Sequence, residues 1–523
     1  MAFTLIQSGT SLQLLDPLGN IATVSLPTNI TLSAVRTPRF AVFEKYVVVV
    51  NSPNRPITID AFGIARVLTP APPAATPVAS AESGGTLSGT YRVKQTYRIK
   101  DTFGNIISES GFSAPSNSVS LTTQWLRAAS LALSPDAVSS SMLYRTLTTG
   151  SVYFPWVELD GNTQTSIQDD LSDAGISLVA ADALGSAPDL TLIAEWRGRL
   201  WGADRVNFDN IYWTETGKMY AWNPANFQPV PKVGSDERGI TALIARKEAL
   251  IIGRQNIIHS MVGNSSSDFR LIKLTDNCGI ESQESCANYI DTSYWLWKDG
   301  VYELGPSNVV KCISDGKVRS WFTTDTYFNR AQFKNAKGQI LPGRKVYRLF
   351  LCAAGSSTID RFVDYEIASG TWWGPHTITG LTPTCTLIRP DADDVLVPSV
   401  GMSSGRLYQE TTTRTDDTAT AIDLSIDTKR HDLGTPTVQK VWKDLTVAQV
   451  PLSTGRMTVT PSVGELDAAA STQVLQADLT LGRQRLGRLG MGMSAKLNFR
   501  EATVGQDVKL LGYEIDVHEA GDR

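Results

Sequence analysis

The residue types that most often carry out catalysis or bind metal ions are sparse and scattered in this chain. Four of its 523 residues are histidines, and no two of them lie at the spacing of metal ligands or on one face of a helix. The five cysteines show no C-x-x-C spacing and no neighbouring histidine, which favours buried free thiols over a metal site. No Gly-x-x-x-x-Gly-Lys-Ser/Thr loop is present to hold nucleotide phosphates. The sequence therefore predicts no catalytic residue, no metal ligand and no cofactor-binding residue.

Paired carboxylates are the remaining candidates for chemistry, because two carboxyl groups flanking a glycosidic bond act as acid and base in its hydrolysis. Three aspartate pairs occur, and their turn-forming surroundings favour solvated turns over acid–base dyads: Asp169-Asp170, Asp393-Asp394 and Asp416-Asp417. The segment Ser369-Gly370-Thr371-Trp372 resembles part of the Asp-box of sialidases, but it lacks the aspartate before the glycine and does not recur. A turn between strands, with a tryptophan packed between sheets, explains this segment better.

A repeated strand pattern must position any site that the chain has. Five times, a polar or glycine-bearing turn alternates with a short apolar strand, at intervals of roughly 45 to 54 residues. The strand cores are Leu200-Trp201, Leu250-Ile251-Ile252, Trp295-Leu296-Trp297, Leu349-Phe350-Leu351 and Val395-Leu396-Val397. This period is typical of a β-propeller, in which each four-stranded blade buries its faces against its neighbours around an axis. We expect an all-β chain with a β-propeller of six or seven blades. A glycan-binding or glycoside-hydrolysing, sialidase-like propeller is therefore one alternative for the function.

The composition limits the classes of partner. Hydrophobic residues make up 42% of the chain and charged residues 19%, which is enough for large cores and leaves surface for protein partners. The net charge of −4 argues against a surface that grips nucleic acid. No stretch approaches 18 uninterrupted apolar residues, and no basic segment precedes an apolar run at the N-terminus. We expect no membrane-spanning segment and no signal peptide.

Changes in the strand pattern divide the chain into four segments. Residues 1–70 hold the first propeller blades, and a proline-rich stretch at 69–77 then interrupts them. Residues 71–185 form an inserted β-sandwich, since a loop between blades tolerates a whole domain. Residues 186–430 hold the remaining blades, and 431–523 form a C-terminal β-domain that completes the fold or docks neighbours.

The inserted segment resembles the fibronectin type III-like modules of bacteriophage tail proteins. The resemblance covers about residues 78–180, and its motifs occur in that family's order. They are a strand with Tyr91 and Tyr97, the turn Asp101-Thr102-Phe103-Gly104, Ser113-Ala114-Pro115-Ser116 and Tyr144-Arg145-Thr146. A small β-sandwich is the fold that this resemblance implies.

The order of the modules resembles the tail hub or nozzle proteins of short-tailed bacteriophages, also called tail tubular proteins. Short motifs follow that family's order: Arg197-Gly198-Arg199-Leu200-Trp201, Leu250-Ile251-Ile252-Gly253, Cys278-Gly279-Ile280 and Leu510-Leu511-Gly512-Tyr513-Glu514-Ile515. The long inserted sandwich departs from the better-known members, and it leaves open which surface contacts adjacent tail proteins.

This resemblance implies a structural virion protein and not an enzyme. The chain would form a homo-oligomeric ring, of six copies, in the virion tail after synthesis in the host cytoplasm. Its partners would be adaptor or portal-side tail proteins and tail fibres. Double-stranded DNA would pass transiently through an acidic or neutral channel, which retains the genome and then conducts it during ejection.

Two sets of residues are candidates for an interface. The Gly/Arg segment Gly482–Gly490 contains Arg483, Arg485 and Arg488, and it is read either as a flexible basic hairpin that docks on an acidic neighbour or as a solvated loop. The tryptophans of the propeller region are core residues in the simplest interpretation. Trp222, Trp372 and Trp373 are the candidates for anchors between subunits.

Overall fold

The computed structural model describes residues 3–51, 55–148, 150–177, 179–234, 236, 238–378, 380–409, 424–465, 473–503 and 508–520, and the backbone of 416–417 and 420–421. The chain divides into two compact units, Met1–Gln409 and Glu410–Arg523. Almost all regular structure in the described residues is antiparallel β-strand.

The first unit begins with two propeller blades. Blade 1 contains β1 (Thr4–Ser8), β2 (Ser11–Leu15) and β3 (Ile21–Val24), and blade 2 contains β4 (Arg39–Phe43), β5 (Tyr46–Val50), β6 (Ile57–Ile59) and β7 (Ala65–Val67). In each blade every strand pairs with the next one along the chain.

The inserted sandwich consists of two sheets between blades 2 and 3. Its strands are β8 (Val78–Tyr91), β9 (Val93–Lys100), β10 (Ile106–Glu109), β11 (Val119–Ala129), β12 (Ser140–Thr146), β13 (Tyr153–Asp160) and β14 (Ile167–Asp169). One sheet has the order β10-β9-β12-β13 and the other the order β14-β11-β8. The two sheets enclose a core of their own, in which Tyr91, Leu126 and Leu143 are buried.

Five further blades follow the sandwich. Blade 3 contains β15 (Leu190–Trp196), β16 (Arg199–Asp204), β17 (Asn210–Trp213) and β18 (Phe227–Pro229), and blade 4 contains β19 (Ile240–Ala245), β20 (Leu250–Arg254), β21 (Ile258–Val262) and β22 (Arg270–Thr275). Blade 5 contains β23 (Ala287–Tyr289), β24 (Thr292–Trp297), β25 (Gly300–Leu304) and β26 (Val310–Cys312). Blade 6 contains β27 (Lys337–Leu341), β28 (Val346–Leu351), β29 (Arg361–Glu366) and β30 (Thr371–Thr377), and blade 7 contains β31 (Pro383–Pro390), β32 (Leu396–Met402) and β33 (Leu407–Gln409).

Helical structure is minor in the described residues. There is one α-helical turn, α1 (Ser320–Thr323), and there are 3-10 segments at Asp173–Gly175, Gln283–Ser285, Arg330–Asn335 and Pro342–Arg344.

The blades stack in chain order through their first strands. Strand β4 lies against β15, β15 against β19, and β27 against β31. Middle strands such as β20 are buried along their whole length, since neighbouring blades cover both of their faces. Continuous apolar runs are typical of strands covered on both faces. The expected all-β propeller with an inserted sandwich and a C-terminal β-domain is confirmed, and the described residues contain seven blade sheets.

The sandwich is docked on the propeller by several contacts. Ile99 and Ile107 of the sandwich belong to the same buried cluster as Leu190 of blade 3. The Ser108 hydroxyl donates to the Leu68 carbonyl at 2.6 Å, at a site with no access to solvent. Leu68 directly precedes the linker at 69–77, so this contact holds the linker against the sandwich at its start.

The second unit is a separate β-domain. Its strands are β34 (Asp416–Asp417), β35 (Thr420–Ala421), β36 (Leu424–Asp427), β37 (Lys440–Gln449), β38 (Arg456–Gly464), β39 (Leu475–Asp478), β40 (Arg483–Gly492), β41 (Ser494–Glu501) and β42 (Leu510–Glu519). A sheet of order β36-β41-β38-β39 and a sheet of order β40-β37-β42 share one core around Trp442 and Phe499. Because β36 pairs with β41, this domain begins before the boundary predicted at residue 431.

Candidate functional site

The first strands of several blades surround a central pocket of about 390 Å³. Blade 2 contributes Arg39, blade 3 contributes Leu192, and blade 4 contributes Thr241. The segment that leads into blade 5 contributes Glu281 and Glu284. Charged side chains of both signs therefore line a cavity that lies where the blades converge.

Glu284 is the most strongly coordinated charge at this pocket. The Arg39 guanidinium donates to its carboxylate, the Ser282 hydroxyl donates to Oε2 at 3.0 Å, and Lys337 Nζ lies 3.8 Å from Oε2. Burial by itself would raise the pKa of Glu284, but the charges of Arg39 and Lys337 outweigh it, and the pKa lies below its usual value. The carboxylate is therefore ionised at neutral pH.

The three residues of this ion cluster come from distant parts of the chain. Arg39 begins β4 of blade 2, Glu284 lies in the 3-10 segment before blade 5, and Lys337 begins β27 of blade 6. Their meeting at one carboxylate requires these blades to be arranged around a common centre. The cluster thus ties the propeller together across its middle.

Glu281 in the pocket lining, and Asp189 beside the lining residue Arg205, are paired with arginines. Glu281 accepts from Arg238 Nη1 at 2.5 Å, and its backbone carbonyl accepts from Nη2 at 2.9 Å. Asp189 accepts from Arg205 Nε at 2.7 Å. General acid catalysis needs a carboxyl group that is protonated near neutral pH. A cation on Glu281 and on Glu284 opposes that role. The third carboxylate of the lining, Asp204, accepts hydrogen bonds from the Val206 and Asn207 amides and from Asn207 Nδ2.

Two of the three candidate tryptophans are core residues. Trp222 is only 2% exposed and lies in the large cluster shared by blades 1 to 3 and the sandwich, so it is not available as an anchor between subunits. Trp372 packs on Tyr365 and Phe322, and its Nε1 donates to the Ile313 carbonyl at 3.2 Å. Its ring thus joins blade 6 to the segment that follows blade 5. Trp373 alone of the three is mostly exposed, at 54%.

The Gly/Arg segment is not a loop. Residues Arg483–Gly492 form strand β40, which pairs along its length with β37. Gln484, Leu486 and Leu489 alternate with the arginines and turn toward the core side, and that periodicity of two is the signal that the sequence interpretation missed. Arg483, Arg485 and Arg488 are exposed on one face of the strand.

The remaining candidate groups for chemistry do not converge. Asp169 accepts from Trp156 Nε1 at 2.9 Å and Asp170 from Thr86 Oγ1 at 3.2 Å, so each serves a separate structural contact. Asp393 and Asp394 lie in the turn before β32. The side chains of Asp416-Asp417 lie outside the described residues.

The Ser369–Trp372 segment is the turn between β29 and β30, as predicted. A second segment has the spacing of a catalytic motif, which the sequence analysis missed. Gly401-Met402-Ser403-Ser404-Gly405 matches the Gly-x-Ser-x-Gly pattern of hydrolases. In the structure it spans the end of β32 and the hairpin turn before β33. A nucleophile elbow requires a turn from a strand into a helix, whereas this turn joins two strands. The segment is therefore a hairpin turn and not a nucleophile elbow.

The cysteines are all free thiols. Cys278 and Cys352 are buried, and burial raises the pKa of Cys278 to about 12. Cys385 is exposed, which contradicts the expectation of a buried thiol at that position. Within the described ranges, no group of three or more His, Cys, Asp or Glu side chains is arranged to hold a metal ion. Of the helices in the described residues, none has the length and apolar character to span a membrane.

Comparisons with known proteins give no family. No family model and no curated protein matches the chain. Similar solved structures include Hsv2 from Kluyvelomyces marxianus, with 10% identity over 55% of this chain and 72% of that chain and a TM-score of 0.22. Another is a DUF4623 family protein from Bacteroides eggerthii, with 10% identity over 76% of this chain and 88% of that chain and a TM-score of 0.25. The fold described above therefore rests on the sheet order and the packing of the chain itself.

Proposed function

We propose that this protein is a structural component of a short-tailed bacteriophage tail, where copies of it form a ring-shaped nozzle or hub. The ring retains the genome, conducts it during ejection, and anchors neighbouring tail proteins or fibres. The order of modules carries the proposal. Two blades, an inserted sandwich, five blades and a separate β-domain follow one another in the order in which the sequence motifs resemble that family.

The docking of the sandwich supports a mechanical function. Arg55 forms two parallel hydrogen bonds with Asp136, at 2.8 and 2.7 Å, and the Ala71 amide donates to the same carboxylate at 2.9 Å. Bidentate arginine–carboxylate pairs fix geometry as well as contributing energy. A sandwich held in this way is rigidly attached to the propeller, and a channel that conducts DNA needs rigidly attached parts.

The electrostatics of the central pocket support a function without a chemical step. Glu284 is kept ionised between Arg39 and Lys337, and Glu281 is held by Arg238. Most glycoside hydrolases need a proton donor on one carboxyl group beside a second carboxylate. The alternative of a glycan-cleaving propeller predicts such a pair, and two of the three carboxylates in the pocket lining, Glu281 and Glu284, are paired with cations instead.

Electron microscopy of the purified full-length protein tests the proposal. A closed ring with a central channel is expected, together with no release of reducing sugar from host polysaccharide. Monomeric protein that turns over glycan would overturn the nozzle function and favour the alternative.

A phage mutant that lacks this protein gives the second test. Its particles are expected to be filled heads that leak DNA or fail to attach fibres. Normal, infectious virions from the deletion mutant would contradict the proposal even if the isolated protein forms rings.

A further inference from the structure

The three-stranded sheet of the C-terminal unit separates its exposed charges by sign. Arg483, Arg485 and Arg488 are exposed along β40. Glu514 and Asp516 are exposed along β42, where they alternate with partly buried residues. Because the sheet order is β40-β37-β42, one edge of the sheet is basic and the opposite edge is acidic.

Both edge strands are long. Each has ten residues, and in the part of the chain that the structure describes each pairs with β37 alone. A long edge strand is a template for another strand, and charged side chains on it discourage unwanted pairing. Charges of either sign would give that protection equally well. The separation of the two signs onto opposite edges therefore favours a partner surface whose charge is complementary to that of one edge.

Ion pairs within the chain do not account for the pattern. Arg483 Nη2 lies 2.9 Å from Glu514 Oε2 across β37, and the two side chains are 70% and 74% exposed. Arg485 contacts Asp444 and remains 69% exposed. Pairs as exposed as these contribute little to the stability of a fold. Their charges remain accessible to a second protein surface.

We propose that the partner is a second copy of this chain, docked head to tail with its basic β40 edge beside the acidic β42 edge of the first. This inference rests on the ring of the proposed function and names the surface that builds it. Since β40 and β42 both run antiparallel to β37, they are parallel to each other, and a rotated copy continues the sheet with its strands in the same direction.

The register of the sheet supports this contact. Thr446 of β37 pairs with Arg485 on one side and with Glu514 on the other. When the register continues into the next copy, Glu514 faces Arg485 of that copy, and Asp516 lies near its Arg488. A contact between two different edges is heterologous, and such contacts close into a ring when the rotation between copies is a whole fraction of a turn.

Charge reversal at each edge tests the interface in the full-length protein. The basic edge is reversed by Arg485→Glu with Arg488→Glu, and the acidic edge by Glu514→Lys with Asp516→Lys. Each variant alone is expected to sediment as monomer, with an apparent dissociation constant raised at least about tenfold, because like charges then face each other at every junction. Wild-type assembly is expected to weaken between about 0.05 and about 0.5 M salt.

Mixing the two reversed variants provides the decisive comparison. One copy then has two acidic edges and the other two basic edges, so they are expected to alternate and restore a ring with an even number of copies. The matched control, Lys429→Glu with Arg500→Glu, makes the same charge change at exposed positions in and beside the other sheet of this unit, and it is expected to assemble like the wild type. Circular dichroism and melting temperature establish that every variant is folded.

The outcomes separate this inference from the proposed function. Wild-type protein that stays monomeric, single variants that assemble normally, or a mixture that fails to reassemble would each overturn the interface. Rings that persist in the reversed variants leave the nozzle intact and place its subunit contact elsewhere. If the variants assemble as expected but a phage without this protein forms normal virions, the interface is supported and the nozzle function is overturned.

Discussion

At the scale of single residues, Glu284 shows how one partly buried carboxylate organises the centre of the propeller. Its side chain is 20% exposed, and the side chains of Arg39 and Lys337 are 19% and 11% exposed. A partly buried ion cluster of this kind costs free energy to desolvate, and the loss of Glu284 leaves the positive charges of Arg39 and Lys337 without their shared counter-ion. The cluster should therefore be sensitive to single substitutions.

We expect Glu284→Gln to lower the free energy of unfolding by about 2–4 kcal/mol at neutral pH, because Arg39 and Lys337 lose their shared counter-ion. Urea unfolding followed by tryptophan fluorescence measures the change. The control is Glu248→Gln, which removes a carboxylate that is 77% exposed and lies 3.3 Å from Arg197. It should cost less than about 0.5 kcal/mol.

The same variant makes a prediction about pH. The folded-state pKa of Glu284 lies below its usual 4.5, so its stabilising contribution is present above about pH 4.5 and is lost as the pH falls through the folded-state pKa. The difference in unfolding free energy between the wild type and Glu284→Gln is therefore expected to shrink between pH 7 and pH 3. A difference that stays constant over this range would show that the charge of Glu284 does not stabilise the fold.

The sequence alone could not reveal this cluster. Glu284 is 245 residues from Arg39, and nothing in the local pattern around either residue indicates a partner. Ion pairs across a propeller depend on the rotation angle between successive blades. The local periodicity of the sequence does not determine this angle. The buried position of Trp222 could not be predicted for the same reason, since the cluster that contains it combines residues of blades 1 to 3 and the sandwich.

At the scale of elements, the strands themselves were readable. The run Tyr46–Val50 is a strand as its β-branched residues indicate, and it is buried because blades lie on both sides of it. The Arg-rich strand β40 was misread, because three glycines suggested a loop and outweighed the alternation of the arginines with Gln484, Leu486 and Leu489. Glycine content predicts a turn only where the periodicity of two also breaks.

The docking of the inserted sandwich is an element-level feature that one substitution tests. We expect Asp136→Asn to loosen it by about 1–3 kcal/mol, because the Arg55 pair loses its charge and the Ala71 amide loses a charged acceptor. Hydrogen exchange followed by mass spectrometry should show faster exchange in the linker at 69–77. Lys45→Ala is the control, since its contact with Asp101 is peripheral and Lys45 is exposed.

The acid dependence of the docking follows from the same pair. The hydrogen bonds from Arg55 are the main reason that the pKa of Asp136 is lowered from 3.8. The protection of the linker amides in the wild type, measured relative to their intrinsic exchange rates at each pH, is therefore expected to fall as the pH drops below about 3.8, and much less so in Asp136→Asn. Equal exchange in both proteins at every pH would mean that other contacts hold the sandwich.

At the scale of the whole molecule, the two units contain different structural features. The unit Met1–Gln409 contains the blades and the sandwich, and the unit Glu410–Arg523 contains the sheet with the basic and acidic edges. The sequence placed the boundary at residue 431, because the strand pattern changes visibly near Pro436. Strand β36 is too short and too polar to be read without its partner β41, so the true start of the unit could not be located.

The C-terminal unit is expected to fold by itself, since its buried cluster consists only of residues from that unit, with Trp442, Val459 and Phe499 at its centre. The isolated segment 410–523 should unfold in one cooperative transition with an enthalpy of about 60–80 kcal/mol, as measured by calorimetry.

Trp442 is almost fully buried, and its Nε1 donates to the Gly492 carbonyl at 3.0 Å. Trp442→Phe should therefore lower the melting temperature by at least about 4 °C, because it removes this hydrogen bond and part of the core volume. Leu511→Ala, at a side chain that is mostly exposed, should leave the melting temperature nearly unchanged. A segment without a cooperative transition would show that this unit depends on the rest of the chain, and the charged edges would then have to be studied as part of the complete protein.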